Sequence, residues 1–387
     1  MSKVVFLFER PIDCYDKKKY GFDFLKKQKF KIEAWNVEFL LYKKSSKEQK
    51  ILNTKIKTIQ NYDQFSLEIQ KLNYNDVIIC ATAVAEGMSW NYRKIRKILF
   101  KTKSIISTIC NNHYPGERRL NLFDHINDFF INKNLKKFLK IYIASFFGLL
   151  GDTITKFYNY KIDIIFAGVS IKGIDKNLID HNTKIFYIHN LDVDLMINVK
   201  FDKVLNKSRP ICYLDSMGPL HPDVLRYKLD YNLNAEQYFT KNKNCIKYLE
   251  NVLSTKCIIA AHPKAEKGIL EKYYNNLEIK YKQSASIVKH SQIVIAEASL
   301  SISLGVWFKK PIILLQHKKA PNWINDILIN FKNEIGCELW DIDDKSTWKM
   351  PKVDNSKYFN FCKKYLKKEG TTSLKFWEFV SLELKKN

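Results

Sequence analysis

The sequence has no run of apolar residues long enough to span a bilayer, so no membrane-spanning helix is expected. Its eight cysteines, at positions 14, 80, 110, 212, 245, 257, 337 and 362, include no Cys-x-x-Cys pair, which argues against a disulfide framework or a zinc site. Cys80, Cys212 and Cys257 fall inside apolar runs and read as small buried hydrophobes. No small-residue cleavage site follows the opening MSKVVFLFERP; Glu9 and Arg10 come at once, and the stretch reads as a first β-strand rather than a signal peptide. Internal repeats, low-complexity tracts and long flexible linkers are missing too. So are the RNP, helix-turn-helix and zinc-finger signatures of nucleic-acid binders. A reducing, cytoplasmic setting fits these absences.

The chain has 387 residues, beyond the size at which one core keeps growing, so two domains are expected. A hydrophobic fraction of 46% supplies material for packed cores and excludes a disordered composition. Lysine and arginine total 65 against 40 acidic residues, a formal charge of +25 that favours polyanionic partners such as phosphorylated substrates or anionic lipid headgroups. The lysines are spread along the whole chain with many Asn and Ile, which argues against a dedicated nucleic-acid footprint. A basic nucleic-acid-binding protein is the alternative from another class.

Short apolar runs alternate with basic, helix-compatible segments. VVFLFE (4–9), DVIICAT (76–82), SIIST (104–108), IDIIFAG (162–168) and KIFYIHN (184–190) lie in the first half. ICYLD (211–215), KCIIAAHP (256–263), QIVIAEAS (292–299) and PIILLQ (311–316) lie in the second. Continuous apolar strands suit a parallel sheet buried on both faces, and the helical patterns between them imply βαβ units. The expected architecture is α/β, with two Rossmann-like domains over 1–200 and 201–350. A helical segment over 351–387, broken at Gly370-Thr371-Thr372, is expected to pack near the junction. The charge-rich stretch ending in Arg209-Pro210 marks the boundary.

Ligands of open α/β sheets bind outside the carboxyl ends of the strands. Asp215, His262 and Ser299 each sit just past such an end. Pro263 holds His262 in extended geometry, and Lys264 follows on the same side of an extended segment. Ser299 and Ser301 stand where a helix would begin, as phosphate ligands or as ordinary N-caps. Asp215 begins the turn DSMG, which Gly218 completes, and serves either as a base or as an Asx-turn residue. Transfer from an activated donor needs a carboxylate or histidine to take a proton from the acceptor, and cationic or hydroxyl groups to neutralise a phosphate leaving group.

The order strand–His-Pro, helix, strand–Ser-x-Ser–helix–Lys-Pro–strand resembles the nucleotide-binding half of GT-B glycosyltransferases of bacterial surface polysaccharides. The bacterial sialyltransferases and Kdo transferases carry such HP and Ser/Thr motifs. LDSMGPLHPD, IIAAHPKAE and AEASLSISLGVWFKKPIILL are also similar to proteins of capsule, lipopolysaccharide and O-antigen clusters. The resemblance covers roughly residues 210–315. It implies a metal-independent glycosyltransferase without cofactor, using a nucleotide-sugar donor and an oligosaccharide or lipid-linked glycan acceptor, with a CMP-linked acidic sugar favoured. A CDP-glycerol-type phosphotransferase and a UDP-sugar glycosyltransferase are the alternatives within that fold. His262 matches the HP histidine that contacts the donor phosphate, and Ser299 and Ser301 match the Ser/Thr motif. The Asp/Glu-Asp/Glu-Gly triplet of the sialyltransferases does not occur. Asp215 is the foremost candidate base, with Glu86 and Asp13 behind it.

IHNLDVD (188–194) offers a DxD pair, Asp192 and Asp194, beside His189; it precedes the junction and an apolar LMI, which favours a hinge with solvated carboxylates, and no metal site is expected. His113 and His221 have no partners at metal-ligand spacing. The first half is expected to bind the acceptor through Glu86, His113, Arg118 and Arg119. The segment 132–161 mixes lysines with Leu, Ile and Phe, as a core helix with a basic face or as a peripheral contact with the inner membrane.

Overall fold

The structure, a computed structural model, describes residues 2–43, 54–81, 90–111, 115, 160–227 and 231–386. Glu86, His113, Arg118, Arg119 and most of the 132–161 segment lie outside the described residues. The chain divides between Leu191 and Asp192 into two compact units. The first is built on the strands up to Leu191 together with Gly370–Asn387; the second is built on Asp192–Glu369.

The first unit carries β1 (Lys3–Phe8), β2 (Lys31–Asn36), β3 (Lys55–Thr58), β4 (Val77–Cys80), β5 (Ile105–Cys110), β6 (Ile164–Ala167) and β7 (Lys184–Tyr187). They pair in the order β3-β2-β1-β4-β5-β6-β7, all parallel. Side chains of β1 alternate between two cores: Val4, Phe6 and Phe8 pack on one face, Val5 and Leu7 on the other. That is why β1 reads as an unbroken apolar run. The helix Phe376–Lys386 closes the first of these cores: Trp377 Nε1 donates to the Lys19 carbonyl at 2.8 Å. Gly21 lies against the Trp377 ring, where a Cβ would come within 2.4 Å of the indole.

The second unit carries β8 (Ile211–Leu214), β9 (Cys257–Ala261), β10 (Glu278–Tyr281), β11 (Ile293–Ala296), β12 (Ile312–Gln316) and β13 (Glu338–Asp341). The order is β10-β9-β8-β11-β12-β13, again all parallel. Numbered within the unit, this is 3-2-1-4-5-6, the doubly wound order whose direction reverses between its first and fourth strands. The crevice at that reversal lies between the carboxyl ends of β8 and β11.

The nine apolar runs of the sequence all appear as strands within three residues of their expected limits. Four further strands, β2, β3, β10 and β13, were not expected. Three are sheet edges in which half or more of the residues are polar. The fourth, β2, carries Glu33, whose buried carboxylate is satisfied by Lys57 at 3.3 Å and by Trp35 Nε1 at 3.1 Å. The expected C-terminal helical segment is present but is split: Asn355–Phe361 and the wider turn Cys362–Leu366 belong to the second unit, and Phe376–Lys386 to the first.

Candidate active site

Within the second unit, chemistry-bearing residues gather past the carboxyl ends of β8, β9, β11 and β12 in two layers. The lower layer is buried and contains Asp215, Tyr213, Tyr238, Asn242, Glu297 and His317. The upper layer is half-buried and contains Ser216, His221, His262, Lys264, Ser299 and Ser301.

Glu297 is the hub of the floor. It follows β11 directly and is 4% exposed. One of its oxygens accepts from the Tyr213 hydroxyl at 2.7 Å and from Asn242 Nδ2 at 2.9 Å. The other accepts from the Ser216 hydroxyl at 2.9 Å and from the Tyr238 hydroxyl. Tyr213 comes from β8, Ser216 from the turn after it, and Tyr238 and Asn242 sit one turn apart on the helix Ala235–Leu253, so both reach the same carboxylate. Burial, with Glu297 close by, pushes the Tyr213 and Tyr238 hydroxyls well above their ordinary pKa, so both stay protonated and donate. Asn242 Oδ1 meets His317 Nε2 at 2.9 Å, and the His317 ring stacks on Tyr238 at 4.7 Å. Burial lowers the His317 pKa, and the ring is neutral.

Beside this hub, Asp215 is 3% exposed, and neither of its oxygens has a hydrogen bond of ordinary geometry. Burial first, and the Glu297 carboxylate second, raise its pKa from 3.8 to about 7, with the backbone amides of Met217 and His262 opposing the rise. The folded state therefore holds a proton that the unfolded chain releases between those two values. This contribution is fully present below about pH 4 and is lost as pH rises through 7. At roughly 1.4 kcal/mol per pKa unit it amounts to several kcal/mol. Asp215→Asn is expected to be more stable than wild type above pH 7 and to converge with it toward pH 4. Urea unfolding of both chains across that range checks the prediction; a difference that does not change with pH would contradict it.

The turn after β8 is strained. Met217 and Gly218 have φ of 61° and 45°, and Gly218 lies flat against Tyr238. A Cβ on Gly218 would stand 2.3 Å from the Tyr238 ring, too close for either to remain. Gly218→Ala is expected to cost about 2–3 kcal/mol from the overpacking and the left-handed backbone together, and to displace Tyr238 from Glu297. Chemical denaturation measures the loss, and near-ultraviolet circular dichroism reports the displaced tyrosine.

In the upper layer, His262 opens a tight turn: Ala265 N donates to the His262 carbonyl at 2.9 Å. The extended course expected through Lys264 is corrected here, because proline at the second position of a turn folds the chain back. His262 Nδ1 accepts from the Lys264 amide at 3.2 Å, so a neutral ring carries its proton on Nε2. The second His-Pro pair comes to the same place: the His221 and His262 rings stand 4.8 Å apart, edge to face. A 3-10 turn, Gly218–Leu220, and the bond from His221 N to the Gly218 carbonyl at 3.1 Å bring His221 there. Across β8, the Ser299 and Ser301 hydroxyls share a bond of 2.8 Å, and Ser299 Oγ accepts from the Ser301 amide at 3.2 Å. Ser301 is the cap position of the short helix Ile302–Trp307, but its side chain makes no capping bond. With β8 between them, the ends of β9 and β11 are two strand spacings apart, about 10 Å.

The structure thus brings Asp215, Gly218, His262, Pro263, Lys264, Ser299 and Ser301 to one end of one sheet. Asp13 is elsewhere, in the first unit, where it caps the helix Cys14–Lys19 by accepting from the Asp16 amide at 2.9 Å. Asp192 occupies the cap position of the helix Val193–Ile197. Five floor residues escaped sequence reasoning: Tyr213, Glu297, Tyr238, Asn242 and His317. Glu297 had a legible signal, a carboxylate ending an apolar strand; the others lie inside a strand, on a helix or past a strand with no motif to mark them.

No family model and no curated protein matches the chain. Among solved structures, the wall teichoic acid polymerase TagF, solved with CDPG, aligns with TM-score 0.52 at 10% identity over 100% of this chain and 88% of that one. MurG of Acinetobacter baumannii aligns with TM-score 0.45 at 10% identity, over 100% of both chains. A UDP-GlcNAc 2-epimerase from Methanocaldococcus jannaschii gives 0.44 at 13%, also over 100% of both. The fold is GT-B-like: two Rossmann-like domains with parallel sheets and a C-terminal helical segment.

Proposed function

We propose that the chain is a transferase that moves a group from a nucleotide-activated donor to a surface-glycan acceptor, with the donor phosphate held in the second unit. The observation that carries this is the convergence of His262, Lys264, Ser299 and Ser301, half-buried, around the point where the strand order reverses. In this reading His262 donates from Nε2–H to the departing phosphate, while Lys264 and the two serines offset its charge. His221, against the His262 ring, or Asp215 takes the acceptor proton. Asp215 has the suitable pKa, yet its oxygens are buried, so as a base it requires the 215–218 turn to open.

A CMP-linked acidic sugar is the favoured donor, from the resemblance of the HP and Ser motifs. A CDP-glycerol-type donor is the second reading, and the alignment with TagF, solved with CDPG, favours it. A UDP-sugar is the third. The acceptor is an oligosaccharide or lipid-linked glycan of capsule, lipopolysaccharide or O-antigen type, and the setting is cytoplasmic or membrane-peripheral. Product analysis after incubation with each donor separates the readings. Release of CMP with sugar on the product supports the first, and CMP release with glycerol phosphate on the product the second. UDP release supports the third, and no turnover of any donor contradicts all three.

A further inference from the structure

At the start of the second unit the chain displays apolar side chains that the fold does not use. Leu195, Ile197, Phe201 and Val204 are 38, 46, 63 and 76% exposed within ten consecutive positions. Their neighbours Val193, Met196 and Leu205 are buried in the core under β8 and β11. Two short helices, Val193–Ile197 and Lys203–Ser208, therefore carry one apolar face inward and a second outward, more than a solvated surface element requires.

The outward face is held in place. Lys289 Nζ donates to the Val199 carbonyl at 2.8 Å, and the Asp202 amide donates to His290 Nε2 at 3.1 Å. His290 is itself fixed by Nδ1 to the Ser286 carbonyl at 2.8 Å, and the Phe201 ring rests against it at 5.5 Å. Four exposed cations, Lys200, Lys203, Lys207 and Arg209, are interspersed in sequence with and just after the apolar residues. Of the carboxylates on the two helices and their caps, Asp202 is occupied in capping the amides of Val204 and Leu205, while Asp192 and Asp194 stand at the start of the first helix, before the exposed apolar residues.

We propose that this platform, Leu195–Arg209, docks the protein on an anionic phospholipid surface. Apolar tips interspersed with lysines match an interface with hydrocarbon below and phosphate headgroups around it. Among the described residues no helix is long and apolar enough to cross a membrane. The proposal is separate from the donor chemistry and from the 132–161 segment.

The full chain is sedimented with vesicles of phosphatidylcholine alone and of phosphatidylcholine mixed with phosphatidylglycerol. Association with the anionic vesicles only is expected, weakened by salt. Phe201→Asp with Val204→Asp should reduce it about tenfold or more. Val252→Asp, on the exposed side of the helix Ala235–Leu253, should change nothing. Should the paired aspartate variant melt far below wild type, Lys200→Glu/Lys203→Glu/Lys207→Glu carries the same test by charge at exposed positions, with the same loss expected. Wild type that ignores anionic vesicles, patch variants that bind in full, or an equal loss in Val252→Asp overturns the proposal. So does a dimer that the patch variants break while the wild type stays off the vesicles.

Discussion

Glu297→Ala is expected to destabilise the second unit by about 3–5 kcal/mol. The change removes the acceptor of four donors in a buried site, the hydroxyls of Tyr213, Ser216 and Tyr238 and the amide of Asn242, and leaves only the bonds of Asn242 to the Tyr213 oxygen and of Ser216 with Tyr238. Each hydrogen bond to a charged group is worth roughly 1.5–3 kcal/mol, and each stranded buried donor costs its own desolvation. Relaxation and water entry recover part of the sum. Glu297→Gln keeps the shape and one acceptor oxygen, but turns an amide N–H₂ toward hydroxyls that must reorient; a loss of about 1–2 kcal/mol is expected. Equilibrium urea unfolding measures both. If the alanine variant lost under 1 kcal/mol, the floor would not be the structural hub described here. The consequence reaches the upper layer, since Ser216 and Tyr238 hold the turn 215–218, which delivers His221.

The second large effect concerns His262. Its side chain is half-buried on the upper layer, and its hydrogen bond to the Lys264 amide lies within one exposed turn, so removing the ring leaves the core intact. His262→Ala is expected to keep its melting temperature within a few degrees and to lose about two to four orders of magnitude in donor turnover, the range of general acid–base catalysis. Steady-state kinetics on the donor identified by product analysis checks it. A variant with turnover within a factor of ten of wild type would remove His262 from the chemistry.

Much of the fold was legible because parallel strands buried on both faces need unbroken apolar runs, and nine of these stand out by composition. The edges β3 and β10 did not, because their side chains are half-exposed and alternate as a surface loop does, and KIKT and EIKY carry no apolar majority; β13, ELWD, has only two apolar residues between two carboxylates. Interior β2 was hidden by Glu33, a buried charge made tolerable by Trp35 on the same strand and by Lys57, which only the folded register brings near. At the site, residues past strand ends could be named in advance, since chain order fixes that position. The buried floor could not. Tyr238 and Asn242 read as ordinary helix positions, and their meeting with Glu297 depends on how the helix Ala235–Leu253 crosses the sheet. The pairing of His221 with His262 likewise rests on β8 and β9 being neighbours, which sequence order alone does not state.

The central claim is that CIIAAHPK and EASLSIS form two walls of one nucleotide-phosphate pocket. The most direct measurement is a thermal-shift titration of wild type and His262→Ala with CMP, CDP, UDP and GDP. The account predicts that a cytidine nucleotide raises the wild-type melting temperature in a saturable way and that the variant loses the shift. If no nucleotide stabilises the wild type, or if the variant responds as the wild type does, the pocket is not where these residues place it.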